Sequence, residues 1–535
     1  MEIVENKGPG ITAPKPTDIS IDEALAMAKF GICNVVLMLV SGTILAAYLL
    51  EIFGIGYIIS FIGHDMKITT KEKGILSAIG FAGVIVSSHM WGFLADTYGR
   101  RKIMIPTLFI TFTISLISSF LANFWVIVFM RFMVGVFIAG PSSASYAYLN
   151  EFHDRKNGFR AIMGASIVFA AGSIILPGLA YIVISQEWEL PIPLLGMVYR
   201  PYRMYFIVCS LPGLVCALIL LKLPESPKFS FSQGESNRAI EAIHWMHRIN
   251  TFGKKTVPLR FDSLRESQED QMERERRILL KNTRGFLAFI RMVWNQTVPL
   301  FMSPHLRKTT VICILQFVSY MVSQGMFMFF PEIVNQMVAV DETGIRKATM
   351  CQLLKHYGTL AMAAEESNEA IQTMKPSGLR LSIALGSIYA VGFAVIATTI
   401  NFFGRLPLLV FVFVTCGMAG QLLFFVDSSA VVMCIYTVFL CSGYTAIMMS
   451  AIITDLYPTN LRTMAVCISL MIGRLGSAFG SNLLGILLEK HCELTFGVAS
   501  LLLIACGIIS FFVPSIDQRD QSKIPTEVQS PNITE

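Results

Sequence analysis

The sequence predicts an all-α polytopic membrane protein with twelve transmembrane helices arranged as two six-helix halves. Of its 535 residues, 54% are hydrophobic and only 15% are charged, which is more apolar surface than a soluble fold can bury. Hydrocarbon about 30 Å thick is crossed by roughly 20 apolar residues of helix, and apolar windows of that length recur along the whole chain. One long polar segment separates the windows into two sets of six.

The predicted spans end where the apolar windows end. The first half holds spans at 31–53, 74–95, 103–121, 124–149, 160–185 and 203–222. The second half holds spans at 309–336, 379–401, 406–426, 430–453, 463–488 and 495–514. The segments that follow from these positions are an N-terminal tail at 1–30, an N-terminal bundle at 31–222, a linker at 223–308, a C-terminal bundle at 309–514 with a loop at 337–378, and a C-terminal tail at 515–535.

The distribution of lysine and arginine predicts which side of the membrane each loop faces. An even number of spans leaves both termini on one side, and positively charged loops stay in the cytoplasm. Placing the termini inside assigns 29 Lys and Arg to cytoplasmic segments and 11 to external ones, so we expect both termini to be cytoplasmic. Residues 1–29 are polar and do not look like a cleaved signal, so the first span is expected to direct insertion.

Two polar segments leave alternatives open. The linker carries 15 bases and 9 acids, including the charged run at 273–277, and is either a surface for anionic lipid headgroups or a solvated helix of mixed charge. Neither interpretation implies nucleic-acid binding. The external segment at 337–378 is far longer than a connecting turn and is either a docking surface or a flexible loop.

The cysteines do not indicate a disulfide framework. Nine of the eleven lie in or near apolar spans, where they behave as small hydrophobic residues. Cys351 and Cys492 fall in expected external loops. Whether they pair is open, because no spacing rule joins them.

The most distinctive local pattern follows the second span, where residues 92–102 read Gly-Phe-Leu-Ala-Asp-Thr-Tyr-Gly-Arg-Arg-Lys. Small Gly92 lets neighbouring helices approach closely, and Gly99 permits a tight turn between spans two and three. Asp96 lies one short turn before Arg100, which Arg101 follows, so a charge pair can form or break between two arrangements of the bundle. The pattern predicts a gating latch.

This string resembles the cytoplasmic loop signature of the major facilitator superfamily of solute transporters. A degenerate copy follows span eight, with Asn401, Gly404 and Arg405 in the places of the acid, the glycine and the first arginine. Asn401 is uncharged. The resemblance therefore implies asymmetric gating, in which the second latch has lost its charge.

Further motifs extend the resemblance to the sugar and organic-ion porter branch of that superfamily. Residues 224–229 read Pro-Glu-Ser-Pro-Lys-Phe, where the prolines end span six and Glu225 can answer cytoplasmic arginines. After span ten, the segment from Asp455 to Arg462 resembles the branch's acid-x-x-Pro-Thr-x-x-Arg motif. Its first-half counterpart runs from Glu151 to Arg160 and is two residues longer. The resemblance implies that these five residues form a cytoplasmic charge network.

The segment that leads into span one, residues 19–31, is similar to the synaptic vesicle glycoprotein 2 and related-protein group. Members of that group usually carry an acid three residues before the position of Glu51, where this chain has Tyr48. A proton or ligand role tied to that acid therefore does not carry over to this chain.

Three charged residues within the spans are candidates for a substrate or ion cavity, because each costs about 2.5 to 3.5 kcal/mol on insertion scales and tends to face a cavity or a partner. Arg131 in span four either couples charge or contacts substrate, or else bonds to carbonyl groups or Glu51. Glu51 lies near the outer end of span one, so it is either functional or extends to water. Arg474, near the middle of span eleven, is expected to face the cavity.

The sequence lacks a nucleophile elbow, zinc-ligand spacing and a complete phosphate-binding loop, so we expect no enzyme, no metal and no cofactor. The first hypothesis is a monomeric secondary transporter of a small organic solute, working by alternating access in the plasma membrane or an intracellular vesicle membrane. Transport would draw on a proton or sodium gradient or on exchange. Two arginines against one glutamate favour an anionic or polar solute.

The second hypothesis is a non-transporting membrane protein, similar to the synaptic vesicle glycoproteins, that regulates vesicle secretion or acts as a receptor or binding protein. Tyr48 and Asn401 favour it, because each stands where an acid is expected. The segment at 337–378 would then present the docking surface.

Overall fold

The structure is a computed structural model that describes residues 18–186, 188–193, 197–252, 297–303, 305–341, 348–357, 376–457 and 459–511, with a few residues between 253 and 296. Within these residues, twelve helices are long and apolar enough to cross a membrane. The predicted twelve-helix membrane fold is confirmed.

Six spans form the first half. Span 1 consists of two consecutive helices, Ile32–Phe53 and Ile55–Met66. The remaining spans are Thr70–Tyr98 (span 2), Arg100–Ser119 (span 3), Phe124–Glu151 (span 4), Arg155–Ile184 (span 5) and Pro201–Leu220 (span 6). Two short antiparallel strands, Leu190–Ile192 and Met197–Tyr199, connect spans 5 and 6.

The second half repeats the arrangement. Its spans are Leu306–Asp341 (span 7), Pro376–Phe403 (span 8), Arg405–Leu422 (span 9), Thr459–Lys490 (span 11) and Cys492–Ser510 (span 12). Span 10 is interrupted: Ser429–Leu440 leads through a 3-10 turn at Cys441–Gly443 into Tyr444–Leu456.

Side chains at the helix ends explain several boundaries. The hydroxyl of Thr69 accepts a hydrogen bond from the backbone N–H of Glu72, and the Glu72 carboxylate accepts one from the N–H of Thr69, so a capping box starts span 2. Asn123 caps span 4 by accepting hydrogen bonds from the N–H groups of Trp125 and Val126. Each half has a hydrophobic core, with Phe81 and Phe413 as fully buried examples, and the first core also includes Met328 and Leu379 of the second half.

The first span is longer than the hydropathy pattern predicted. The prediction ended it at residue 53, but the helix resumes at Ile55 and runs to Met66. Gly54 has helical backbone angles, and the following Tyr57, Ile58 and Ile62 are buried, so neither the backbone nor the side chains end the helix there. Glu51 therefore lies midway along span 1, and its predicted place near the outer end is wrong.

The loop between spans 7 and 8 is shorter than the predicted 337–378. Span 7 continues to Asp341 and span 8 begins at Pro376. Residues 350–357 between them are also helical. The linker is also shorter than the predicted 223–308, because span 7 already begins at Leu306. A 3-10 turn at Val298–Phe301 precedes that span.

Part of the predicted tail and part of the linker pack against the first half. Strand Asp18–Ser20 pairs in parallel with Ser263–Arg265, and helix Ile21–Met27 follows with Ala24 fully buried. A linker helix, Ser236–Asn250, buries Ile243 and Met246 in the same core. Of residues 236–250, one apolar face is therefore covered by the first half, while the other face is exposed. The charged run at 273–277 lies outside the described residues.

The bundle has two distinct ends. The latch end is the end with the Gly99 turn between spans 2 and 3. The opposite end is the end with the turn between Met66 and Thr70, where spans 1 and 2 meet.

Candidate functional site

The turn at Gly99 fixes the geometry of the predicted latch. Gly99 has φ of +114°, a conformation that side chains with a Cβ rarely adopt. A Cβ at this position would lie 2.5 Å from a carboxylate oxygen of Glu225. Gly92, by contrast, faces open space, and a Cβ at that position would have nothing within 4 Å of it. Glycine is therefore required at 99, and the close helix approach expected at Gly92 is not present.

Arg100 is the centre of the latch. Its guanidinium forms ion pairs with Asp96 at 2.7 Å and with Glu151 at 2.9 Å, and it donates a hydrogen bond to the carbonyl of Ala95. The Arg100 side chain is almost fully buried, whereas Asp96 is half-exposed. Arg100 of span 3 therefore connects spans 2 and 4 of the first half through its ion pairs with Asp96 and Glu151.

Arg101 and Glu225 tie the end of span 6 to the same turn. The Glu225 carboxylate accepts a hydrogen bond from the backbone N–H of Arg101 at 3.1 Å. The Arg101 side chain donates to the carbonyls of Leu220 and Leu221, each at 2.8 Å. These contacts satisfy backbone carbonyls at the end of span 6 that have no partner within the helix.

Glu151 and Arg160, both expected in the cytoplasmic charge network, do not form an ion pair with each other. Glu151 pairs with Arg100, and Arg160 lies exposed on span 5 without an ion pair among the described residues. Residues 152–154 separate spans 4 and 5, and Arg160 lies in the second turn of span 5. On the second-half side, the side chains of Asp455 and Arg462 lie outside the described residues.

The second turn copies the backbone of the first. Gly404 has φ of +81°, ends span 8 and is followed by Arg405 as the first residue of span 9, just as Gly99 precedes Arg100. The side chain of Asn401 lies outside the described residues. The repeat is thus present in the conformation of the chain as well as in its sequence.

Glu51 and Arg131 form a buried ion pair inside the first half. A guanidinium nitrogen of Arg131 lies 3.1 Å from Glu51, and both side chains are at most 5% exposed. Ser115 of span 3 donates a hydrogen bond to Glu51 and accepts one from Arg131. The guanidinium also lies over the ring of Phe206, 4.5 Å from its centroid. Of the alternatives open from the sequence, the bond to Glu51 is the one formed.

Arg474 is placed differently, because its contacts cross from one half to the other. Its guanidinium donates a hydrogen bond to the hydroxyl of Ser88 in span 2 and lies 6.0 Å from the ring centroid of Tyr48 in span 1. All three residues lie near the middle of their helices. Arg474 has no carboxylate partner among the described residues.

Spans 1 and 5 of the first half also make close contacts with spans 7 and 8 of the second half. Phe53 of span 1 meets Phe327 of span 7 edge to face, with centroids 5.3 Å apart. Gly56 lies so close to the carbonyl of Met328 that a Cβ would overlap it. Ser173 of span 5 donates a hydrogen bond to the carbonyl of Gly386 in span 8 at 3.1 Å. The Gly56 contact lies in the part of span 1 that leads to the opposite end.

Cys351 and Cys492 form a disulfide, which answers the question that the sequence left open. It joins the helical segment between spans 7 and 8 to the first residue of span 12, at the opposite end of the second half. Their Cα atoms are 5.6 Å apart, although 141 positions separate them in sequence. Only the tertiary fold brings them together.

A comparison with protein families matches residues 39–364, more than half of the chain, to the Major Facilitator Superfamily. The chain belongs to the Major Facilitator Superfamily. Its family and fold are those of a multi-pass membrane transporter and not of an enzyme, as predicted from the sequence. The resemblance inferred from the latch motif is confirmed.

Curated relatives of this superfamily member include the synaptic vesicle glycoproteins 2. The chain is 26% identical to synaptic vesicle glycoprotein 2B of Mus musculus over 313 residues, which cover 56% of this chain and 45% of the relative. It is 24% identical to synaptic vesicle glycoprotein 2A of Rattus norvegicus over 332 residues, covering 60% and 44%. The chain thus matches less than half the length of these relatives.

Solved structures show the same superfamily fold. The xylose transporter XylE from E. coli, in a partially occluded inward open conformation, has a TM-score of 0.61 and 14% sequence identity, and the match covers 90% of this chain and 97% of that one. A D-xylose-proton symporter gives a TM-score of 0.60 at 13% identity, with coverage of 90% and 98%. At these identities the likeness concerns the fold alone.

Sequence reasoning missed two polar clusters of this superfamily member. At the opposite end, Asp65 accepts hydrogen bonds from Arg200, Tyr202 and Arg203 and so joins spans 1 and 6. No local motif predicts this cluster, because Asp65 is about 135 positions from its three partners in sequence.

The second cluster lies at the latch end. The Asn34 amide donates to Nε2 of His153 at 2.9 Å, and Nδ1 of His153 donates to the carbonyl of Leu149 at 2.8 Å. The Asn250 amide of the linker helix donates to Asn34 at 2.9 Å. The cluster therefore joins span 1, the end of span 4 and the linker helix. A sequence signal for order just before span 1 is the capping box of Ser20 and Glu23, which starts helix Ile21–Met27.

Proposed function

We propose that the chain is a secondary active transporter that moves a small organic anion by alternating access. The proposal rests on the position of Arg474. This residue lies midway along span 11 of the second half, and its guanidinium contacts Ser88 and Tyr48 of the first half. A site shared by two halves is one that a rocking motion can expose first to one side of the membrane and then to the other.

The charge of the solute is argued from the two arginines in the spans. Arg131 is neutralised by Glu51 at 3.1 Å, so its charge is already compensated. Arg474 has a hydroxyl and an aromatic ring as partners, and no carboxylate among the described residues. A positive charge at membrane depth is stabilised by an opposite charge. A carboxylate or phosphate on the solute would supply it.

The latch supports the mechanical part of the proposal. Its ion pairs join spans 2, 3 and 4 within the first half, so they stiffen that half as one moving body. The Phe53 and Gly56 contacts join the two halves where span 1 meets span 7. We propose that these contacts separate when the chain opens at the opposite end, and that the solute is exchanged at the latch end in the present arrangement. Since both halves belong to one chain, the proposed functional unit is a monomer.

The proposed orientation puts the latch end and both termini in the cytoplasm. The count of 29 basic residues on that side against 11 on the other supports it. The disulfide between Cys351 and Cys492 at the opposite end is a second support, because disulfides persist in oxidising compartments and are rare in the cytosol. In a plasma membrane or an intracellular vesicle membrane, the side away from the cytosol would be such a compartment.

The energy source in this proposal is an ion gradient or exchange of one solute for another. The proton-coupled xylose symporter has the same fold, and its coupling is a property of that protein. For this chain we propose coupling to a gradient of protons or sodium, which the transport measurement tests.

A thermal-stability screen tests the solute class. A ligand that binds only the folded protein raises the melting temperature by mass action. We expect hydrophilic organic acids, which have no apolar body, to raise it in the wild-type protein and not in Arg474→Ala. If neutral sugars raise the melting temperature and organic acids do not, the anionic part of the proposal is wrong.

The second candidate function is a vesicle membrane protein that binds a partner without transport. The relationship to the synaptic vesicle glycoproteins 2 favours it, together with Tyr48 in the place of an acid. Capture of a specific partner from vesicle membranes, combined with no stabilisation by any solute in the screen, would support this candidate over the transporter.

A further inference from the structure

A cavity of about 360 Å³ lies at the opposite end of the bundle, between the two halves. Ile59 and Lys73 of the first half form one side of it, and Phe329, Glu332 and Asn482 of the second half form the other. The Cys351–Cys492 disulfide contributes to the wall. The volume of the cavity falls in the usual range of about 300 to 1,000 Å³ for small-molecule sites.

Two lysines from different parts of the chain line this cavity, together with one carboxylate, that of Glu332. Lys73 belongs to the first turn of span 2, and Lys355 belongs to the helical segment between spans 7 and 8. Neither lysine forms an ion pair among the described residues, and the two lysines and Glu332 leave the lining with a net positive charge. An anion entering the cavity would therefore meet two available ammonium groups.

The remaining lining is amphiphilic. Phe329, Ile333 and Leu354 supply apolar surface, while Gln336 and Asn482 supply amide groups that can donate or accept hydrogen bonds. Such a lining suits a ligand with an acidic group at one end and an apolar body at the other. A free inorganic anion would leave the apolar surface uncovered.

This cavity is separate from the surroundings of Arg474. Lys73 and Ser88 lie on the same helix, 15 positions apart. At a rise of 1.5 Å per residue, about 22 Å of helix separates them. A ligand of about a dozen non-hydrogen atoms cannot reach both.

We propose that this cavity is a second binding site, specific for a small organic acid with an apolar body, and that its occupation holds the two halves together at the opposite end. The site exists only when Lys73 of the first half faces the second half, so the ligand binds the present arrangement better than one open at this end. A ligand with such a preference shifts the population toward the state that it binds. The predicted result is inhibition of transport without competition at Arg474.

The probe pair for the test is 4-phenylbutyrate and its uncharged amide, added to the purified full-length protein. We expect the acid to raise the melting temperature and the amide to have little effect. Lys73→Met and Lys355→Met should each weaken binding of the acid about tenfold, which is 1.4 kcal/mol. Lys71→Met is the matched control: it removes an exposed lysine from the same helix end, outside the cavity, and should leave binding unchanged.

Two further outcomes separate this proposal from the transport proposal. Arg474→Ala should retain binding of 4-phenylbutyrate, even though it loses solute transport. Loss of the acid's effect in Arg474→Ala, with full retention in Lys73→Met, would assign the acid to the transport site and overturn the proposal. Equal stabilisation by acid and amide, or equal weakening by Lys71→Met and Lys73→Met, would overturn it as well.

Discussion

Arg474 in the second half donates a hydrogen bond to the hydroxyl of Ser88 in the first half. The same guanidinium lies 6.0 Å from the ring centroid of Tyr48, which also belongs to the first half. Arg131 forms the contrast, because its contacts with Glu51, Ser115 and Phe206 all remain within one half. One intramembrane arginine therefore stabilises a half, and the other lies where the two halves meet.

The buried Glu51–Arg131 pair predicts a large loss of stability when one partner is removed. Glu51→Ala leaves a buried guanidinium without its counter-charge, which costs about 3 to 5 kcal/mol. Thermal or denaturant unfolding of the purified protein in detergent measures the loss. Glu235→Ala is the control, because its pair with Arg238 is exposed and contributes at most about 1 kcal/mol. Equal losses in both variants would contradict a structural role for Glu51.

The two glycines of the latch motif predict opposite effects of the same substitution. Gly99→Ala forces a residue with a Cβ into φ of +114° and against the Glu225 carboxylate, so we expect destabilisation of about 1 to 3 kcal/mol. Gly92→Ala adds a methyl group in open space within a helix and should stabilise by about 0.4 to 1 kcal/mol. Melting temperatures of the two variants check this. The account of the turn fails if Gly92→Ala is the more destabilised.

His153 predicts a dependence of stability on pH. Burial lowers its pKa from the usual value, and Lys228 lowers it further, while the Leu149 carbonyl and Asp154 act in the opposite direction. The folded protein therefore binds fewer protons here than the unfolded chain at pH below about 6.5. The contribution of His153 to the free energy of unfolding is therefore complete above pH of about 6.5 and decreases as the pH falls below that value.

The measurement is the melting temperature of wild type and His153→Gln between pH 7.5 and 5.5. The wild type should lose more stability than the variant as the pH falls, because protonation puts a second N–H against the Asn34 amide. Parallel curves for the two proteins would exclude His153 as the cause.

Local patterns predicted much of the fold and of the latch. Apolar windows indicated the twelve spans, since the membrane imposes a helix length on each. The spacing of Asp96 and Arg100, four positions apart on one turn, predicted a charge pair that the structure contains. Gly404 was identified from the internal repeat, and its positive φ matches that of Gly99.

Contacts that depend on tertiary packing were not predictable from the sequence. Glu151 pairs with Arg100, 51 positions away, and not with Arg160 of its own motif. The disulfide between Cys351 and Cys492 requires the second half to be assembled. The hydropathy pattern ended span 1 at residue 53, because a window of about 20 residues cannot distinguish a helix that fills the membrane from one that continues beyond it.

Uptake by vesicles containing the purified protein tests the transport proposal directly. With a proton gradient imposed, we expect saturable uptake of a labelled organic acid, and a loss of about tenfold or more in Arg474→Ala, because a hydrogen bond to a charged group contributes about 1.5 to 3 kcal/mol. Arg238→Ala, which removes an exposed arginine of the linker helix, should transport like the wild type. Equal uptake by wild-type and correctly folded Arg474→Ala protein would show that Arg474 does not bind the solute.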